Sequence, residues 1–230
     1  MSRTIYIVKR ESYAETVTDR IRTALNERDR SNPFHLFLSG GSTPKVVYAG
    51  LADSGIDWAG VHLWWGDERF VPPDHADSNF RMVKEQLLEK VSIPEKQVHG
   101  WPILSTPDLA AGTYEDEFRQ IFLVEKQPLH FQLLGMGDDG HTASLFPGTP
   151  ALEEKDRYCV ANYVKNKDST RLTLTYPALA LSRRVVFLVK GEGKAQAAFE
   201  VLKEGKHPAS QVFGKESTEF WLDEKAAQKL

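Results

Sequence analysis

The sequence predicts an α/β fold, a mainly parallel sheet with helices on both faces. Three observations predict it. Short β-branched or aromatic runs recur along the chain, and most are followed by an amphipathic helical pattern, the alternation that builds parallel sheets from crossover units. Two of these runs, HFQLLG and VVFLVKG, scarcely alternate between apolar and polar, as expected of strands covered on both faces. No repeat, low-complexity segment or Pro- or Gly/Ser-rich linker divides the 230 residues, so residues 1–230 read as one domain.

The elements follow in order. TIYIV (4–8) reads as a strand and ESYAETVTDRIRTALNERD (11–29) as a helix. HLFLSG is a strand leading into the helix of TPKVVYAGLADSG, where Pro44 suits the first helical position and makes Thr43 the expected N-cap. VHLWWG is a strand that ends in a polar loop. DSNFRMVKEQLLEKV opens with the cap candidates Asp77 and Ser78 and puts Phe80, Val83, Leu87, Leu88 and Val91 on one face. PDLAAGTYEDEFRQIFL is a further helix, followed by the strand HFQLLG. DRYCVANYV reads as a strand that buries Cys159 as a small apolar residue, and VVFLVKG as another strand, after which Lys194 opens a helix. The terminal HPASQVFGKESTEFWLD is the least diagnostic stretch.

Composition narrows the function. With 29 Lys and Arg against 32 Asp and Glu, charge gives no argument for a nucleic-acid or membrane partner, since either needs a concentrated basic surface. One cysteine forms no internal disulfide, which fits a reducing compartment. The opening MSRTIYIVKR lacks an apolar core of signal-peptide length, and no apolar run approaches the roughly 20 residues that span a bilayer. A cytoplasmic protein is expected.

Ligands of parallel sheets collect beyond the carboxyl ends of the strands, and three stretches lie there. In LFLSGGSTPK, Gly40 and Gly41 let a ligand approach the backbone, while Ser42 and Thr43 add hydroxyls and free N–H groups at a helix start, a combination suited to phosphate. No Walker pattern accompanies them. In WWGDERFVPPDHADSN, Asp67, Glu68 and Arg69 follow a strand directly, and Arg69 suits a carboxylate or a developing oxyanion; His75 in the same loop has weaker support. The third, LLGMGDDGHTASLFP, contains a literal GxGxxG in Gly135, Gly137 and Gly140. As a dinucleotide turn it fails: Asp138 and Asp139 put negative charge where pyrophosphate would sit, and no clean helix follows. As an acid–base loop it succeeds, exposing His141 at a strand end with Asp139 or another carboxylate to orient the ring. No histidine or cysteine stands at ligand spacing from His141, so no metal and no cofactor are expected. Arg171 in STRLTLTYPAL and Lys194 in GEGKA are further candidates for an anion. A nucleophilic Ser144 would need a GxSxG elbow, which is missing.

LSGGSTP, WGDERFVPPDHADSN, GMGDDGHTASLFPG, RLTLTYPAL and GEGKA, in this order over nearly the whole chain, resemble the 6-phosphogluconolactonase family. The resemblance implies a Rossmann-like domain of the glucosamine-6-phosphate deaminase type that hydrolyses 6-phospho-D-glucono-1,5-lactone in the pentose phosphate pathway without a metal. The related deaminases share GSTP and DGH but resemble DEY and AFNEP where this chain has Asp67-Glu68-Arg69 and ASLFP (143–147). Catalytic roles then fall to His141, Asp139, Asp67 and Arg69: His141 activates water, Asp139 or Asp67 orients it, and Arg69 meets negative charge or sugar hydroxyls. Gly40, Gly41, Ser42, Thr43, Arg171 and Lys194 bind the phosphate. The expected partner is the small sugar-phosphate lactone, to a monomer or weak homo-oligomer. An amino-sugar-phosphate deaminase or isomerase and a non-catalytic sugar-phosphate sensor are the alternatives. All of this requires His141 and the Gly-Ser-Thr turn to share one cleft.

Overall fold

The structure, a computed structural model, describes residues 3–230 and arranges them around a seven-stranded sheet in which every pairing is parallel. Its strands are β1 (Arg3–Val8), β2 (Phe34–Leu38), β3 (Val61–Trp65), β5 (Val98–His99), β6 (Leu129–Gly135), β9 (Arg184–Val189) and β10 (Ser217–Asp223). A separate three-stranded antiparallel sheet, in the order β4-β8-β7, holds β4 (Asp67–Arg69), β7 (Cys159–Val164) and β8 (Ser169–Leu174). The helices are α1 (Tyr13–Asn26), α2 (Ser42–Ala52), α3 (Asn79–Val83), α4 (Pro107–Arg119), α5 (Tyr176–Leu179) and α6 (Ala195–Phe199). The third, fourth and sixth each run on into a π-helical turn. The α/β class and the parallel sheet of the sequence reading are thus borne out.

The strand order β1-β10-β9-β6-β2-β3-β5 decides where a ligand fits. From β2 the chain winds outward through β3 to β5, whereas from β6 it winds the other way through β9 to β10. The carboxyl ends of β2 and β6 therefore diverge, and the crevice between them is the topological switch point of the sheet. Both strands are apolar because both faces are covered. All of β2 is buried, and Phe131, Leu133 and Leu134 of β6 are at most 2% exposed. Phe37, Trp64, Phe118 and Phe122 form one aromatic cluster between the sheet and α4, and α1 lies against α2.

Two expectations are corrected. Helix α2 starts two residues earlier than Pro44 suggested: Gly41, at φ 111°, is the N-cap, and Ser42 and Thr43 already belong to the first turn. Glycine alone enters that backbone region without strain, and Pro44 is tolerated because the first four N–H groups of a helix have no carbonyl partner within it. The polar loop expected after VHLWWG is in part a strand, β4, paired with β8. Three residues carry no periodicity, and only the partner strand makes them regular. The sequence also left β10 unread, although it lies between β1 and β9 and is buried from Thr218 to Asp223.

Candidate active site

A cleft of about 340 Å³ opens at the switch point. Gly40, Gly41, Ser42 and Thr43 enter it from the end of β2 and the start of α2, Asp67 and Arg69 from β4, and His141 from the loop after β6. Arg171 enters from β8, and Lys194 from the turn before α6. The sequence candidates thus converge, and the imidazole and the Gly-Ser-Thr turn face one space. Asp139 reaches it through the His141 ring.

Backbone bonds hold His141 in a tight loop, with Gly137 N–H donating to the His141 carbonyl at 2.8 Å and Gly140 N–H to the Gly137 carbonyl at 3.1 Å. The ring is fixed on two sides. Its Nδ1 lies 2.6 Å from Asp139 Oδ1, and its face stacks on Phe146 at 3.9 Å between centroids. Bonding to His141 holds the Asp139 carboxyl down at about 2. An ionised carboxylate only accepts, so Nδ1 carries the donated proton and Nε2 is the basic nitrogen of the neutral ring.

Asp67 does other work. One carboxylate oxygen accepts Ser144 Oγ at 2.7 Å and the other accepts Asn79 Nδ2 at 3.4 Å. The orienting carboxylate of the imidazole is Asp139, and Ser144 donates to Asp67. Glu68 is buried outside the cleft, where it accepts the N–H groups of Arg69, Asn79 and Phe80, each at 2.7 Å. It anchors β4 to the start of α3, although burial pushes its carboxyl up. His75 is exposed and accepts the Asp77 N–H at 3.1 Å.

The cationic side of the cleft is strained electrostatically. Arg69 and Arg171 are directly opposite in the β4–β8 register. Both Nε atoms are buried without a hydrogen-bond partner among the described residues. Burial and then the nearby Arg69 pull the Arg171 guanidinium below its ordinary range. Two like charges face each other here, and the Arg69 guanidinium donates to the Asp77 carbonyl. Lys194 is ion-paired with Asp138. Lys190 at the end of β9 and Lys167 on the β7–β8 hairpin also line the cleft. The sequence reading missed both lysines, together with Asn79 and Phe146. Lys190 had a signal, since it directly follows an apolar strand. Lys167 had none, because only the folding of the hairpin brings it near. Among the described residues no group of three or more His, Cys, Asp or Glu side chains is placed to hold a metal, and no helix is long and apolar enough to cross a membrane.

The family model described as glucosamine-6-phosphate isomerases/6-phosphogluconolactonase matches residues 9–221. A Synechocystis protein named 6-phosphogluconolactonase is 42% identical over 225 residues, covering 93% of this chain and 90% of its own. The crystal structure of 6-phosphogluconolactonase from Thermotoga maritima superposes with a TM-score of 0.86 at 34% identity, covering 97% of this chain and 100% of that one. A monomeric glucosamine-6-phosphate deaminase shares the fold, with a TM-score of 0.82 at 18% identity over 99% of this chain and 100% of that one.

Proposed function

The chain belongs to the glucosamine-6-phosphate isomerase/6-phosphogluconolactonase family, and we propose that it hydrolyses 6-phospho-D-glucono-1,5-lactone to 6-phospho-D-gluconate in the oxidative pentose phosphate pathway, by histidine-assisted attack of water. One juxtaposition supports this function: a carboxylate-held imidazole shares a cleft with two opposed guanidiniums and the glycine-serine-threonine turn.

The phosphate sits on the first turn of α2, held by the N–H groups and hydroxyls of Gly40 to Thr43, with Arg171 and Lys194 supplying charge. His141 Nε2 takes a proton from water as the water oxygen bonds to the lactone carbonyl carbon. The carbonyl electron pair moves onto its oxygen, and Arg69 stabilises that oxyanion. As the bond to the ring oxygen breaks, the imidazolium returns the proton to it, so one water is added and the enzyme is restored. Asp139 keeps the ring in the required tautomer throughout. The buried free thiol of Cys159 supports a reducing, cytoplasmic setting.

The test is a spectrophotometric assay on lactone generated in situ, with spontaneous opening subtracted. His141→Ala should lose on the order of 10²–10⁴ in kcat with KM nearly unchanged. Wild-type turnover in that variant would overturn the mechanism. Ammonia release from glucosamine 6-phosphate, with no lactone turnover, would place the chain among the deaminases.

A further inference from the structure

The loop that carries His141 has a second support, outside the cleft. Beside Gly140, the residue between Asp139 and His141, runs the segment 205–210, which follows α6 and its π-helical turn. The Ala209 N–H donates to the Gly140 carbonyl at 3.0 Å, and Ala209 is fully buried. The His207 side chain completes the contact. A β-carbon at Gly140 would fall 2.4 Å from His207 Cβ and 2.6 Å from its Cγ, so the imidazole packs directly against the glycine backbone.

His207 holds this place against its own backbone preference. At φ 68° and ψ 160° it occupies a region that is essentially reserved for glycine. Its surroundings keep it there. The His207 carbonyl accepts the Ser210 hydroxyl at 2.7 Å and the Ser210 N–H at 3.1 Å. Pro208 favours an extended ψ in the residue before it, and the Tyr176 hydroxyl donates to the Pro208 carbonyl at 3.2 Å. The ring is anchored as well. Its Nε2 lies 2.5 Å from Glu200 Oε2, and the other oxygen of that carboxylate accepts Gln196 Nε2 at 2.6 Å. Glycine would take this backbone without strain, so what the strain maintains is the side chain.

We infer that His207, anchored by Glu200, is a positioning residue for His141: its ring braces Gly140 and fixes the loop that aims the imidazole into the cleft. His207 does not line the cleft, so it acts through the loop and not on substrate. Three contacts then define the His141 ring. Asp139 sets its tautomer, Phe146 covers one face, and His207 fixes the backbone that carries it. Without the brace the loop can shift, and a displacement of about 1 Å at a reacting group costs up to about 10² in rate. The Gly-Ser-Thr turn belongs to β2 and α2, so phosphate binding should be spared. The kinetic consequence rests on the lactonase reading; the placement of the ring does not.

Two readouts test this, one of them without substrate. The imidazole proton resonances of His141, assigned by their absence from His141→Ala, report the position of the ring over Phe146 through its ring current. His207→Gly removes the brace and relieves the backbone, and a thermal melt verifies its fold. In that variant the His141 resonances should move, and kcat on lactone generated in situ should fall about tenfold or more while KM changes less than about threefold. Glu200→Ala frees the His207 ring without removing it and should move both readouts in the same direction by less. His141 resonances at their wild-type positions in His207→Gly, a wild-type kcat in that variant, or a Glu200→Ala variant identical to wild type in both readouts would each overturn the inference. A wild type that does not turn over lactone would fail the lactonase reading alone, and the resonances would still decide the role of His207.

Discussion

A β-carbon added at Gly137 would lie 2.0 Å from His141 Nδ1 and 2.5 Å from Asp139 Oδ1. The backbone there accepts alanine, since Gly137 is not among the positive-φ glycines, so the conflict falls on the imidazole and its carboxylate. Gly137→Ala should therefore lower kcat on the order of 10²-fold while leaving KM and the melting temperature close to wild type. Steady-state kinetics and a thermal melt check it, and an unchanged kcat would show that this contact does not place the ring. The glycines were legible in the sequence as a turn after a strand, and His141 as the residue the turn presents. Phe146 was not, because a phenylalanine near a loop end reads as core until its face is found 3.9 Å from the imidazole.

Between elements, the pairing of β4 with β8 sets two arginines side by side. That arrangement favours an anion and disfavours the empty protein, since both cations are partly desolvated. Arg171→Leu should raise KM about 10- to 100-fold, the worth of a charge-assisted hydrogen bond, with a smaller effect on kcat. The same variant should melt higher than wild type without ligand and lose the stabilisation that inorganic phosphate gives the wild type. An unchanged KM together with an intact phosphate effect would remove Arg171 from the phosphate site. Sequence placed Arg69 and Arg171 separately, each near an element edge. Their opposition belongs to an antiparallel register between segments about a hundred residues apart, which local pattern does not encode.

Across the whole molecule the sheet has two chemically distinct ends. Opposite the cleft, toward the amino ends of the strands, a row of histidines crosses the sheet: His130 on β6, His35 on β2, His62 on β3 and His99 on β5. Neighbouring ring centroids are 6.2, 5.1 and 5.2 Å apart. His35 Nδ1 accepts the Trp64 indole N–H at 3.0 Å, and His99 Nδ1 lies 2.7 Å from Glu117 Oε1. Burial, reinforced by the neighbouring rings, pushes His35 down to about 3. Burial, with Arg183 beside it, pushes His130 down to about 4. Burial also lowers His62, which faces Lys96 and His99. The ordinary value is 6.5, so below it the unfolded chain takes up protons that the folded rings refuse. Stability is complete above that value and falls as the pH drops toward 4 and then 3. The urea midpoint should therefore decline between about pH 7 and about pH 5, and His35→Gln should flatten the decline whatever it does to the midpoint itself. Equal slopes in both proteins would assign the acid sensitivity to other groups.

By itself, the sequence determined the alternation of strands and helices, the strand-end turns that bear glycine, histidine and hydroxyls, and the family. These are local patterns: apolar periodicity, cap and turn chemistry, and short motifs in register. The tertiary structure alone decided that Asp139 rather than Asp67 holds the imidazole, that Asp67 accepts Ser144, that Glu68 is buried at a helix start and that Lys190 and Lys167 enter the cleft. It also made β4 a strand and left β1 an open edge. Each of these depends on which distant segment arrives beside a residue, and that is set by crossover topology and strand register, not by the identity of sequence neighbours.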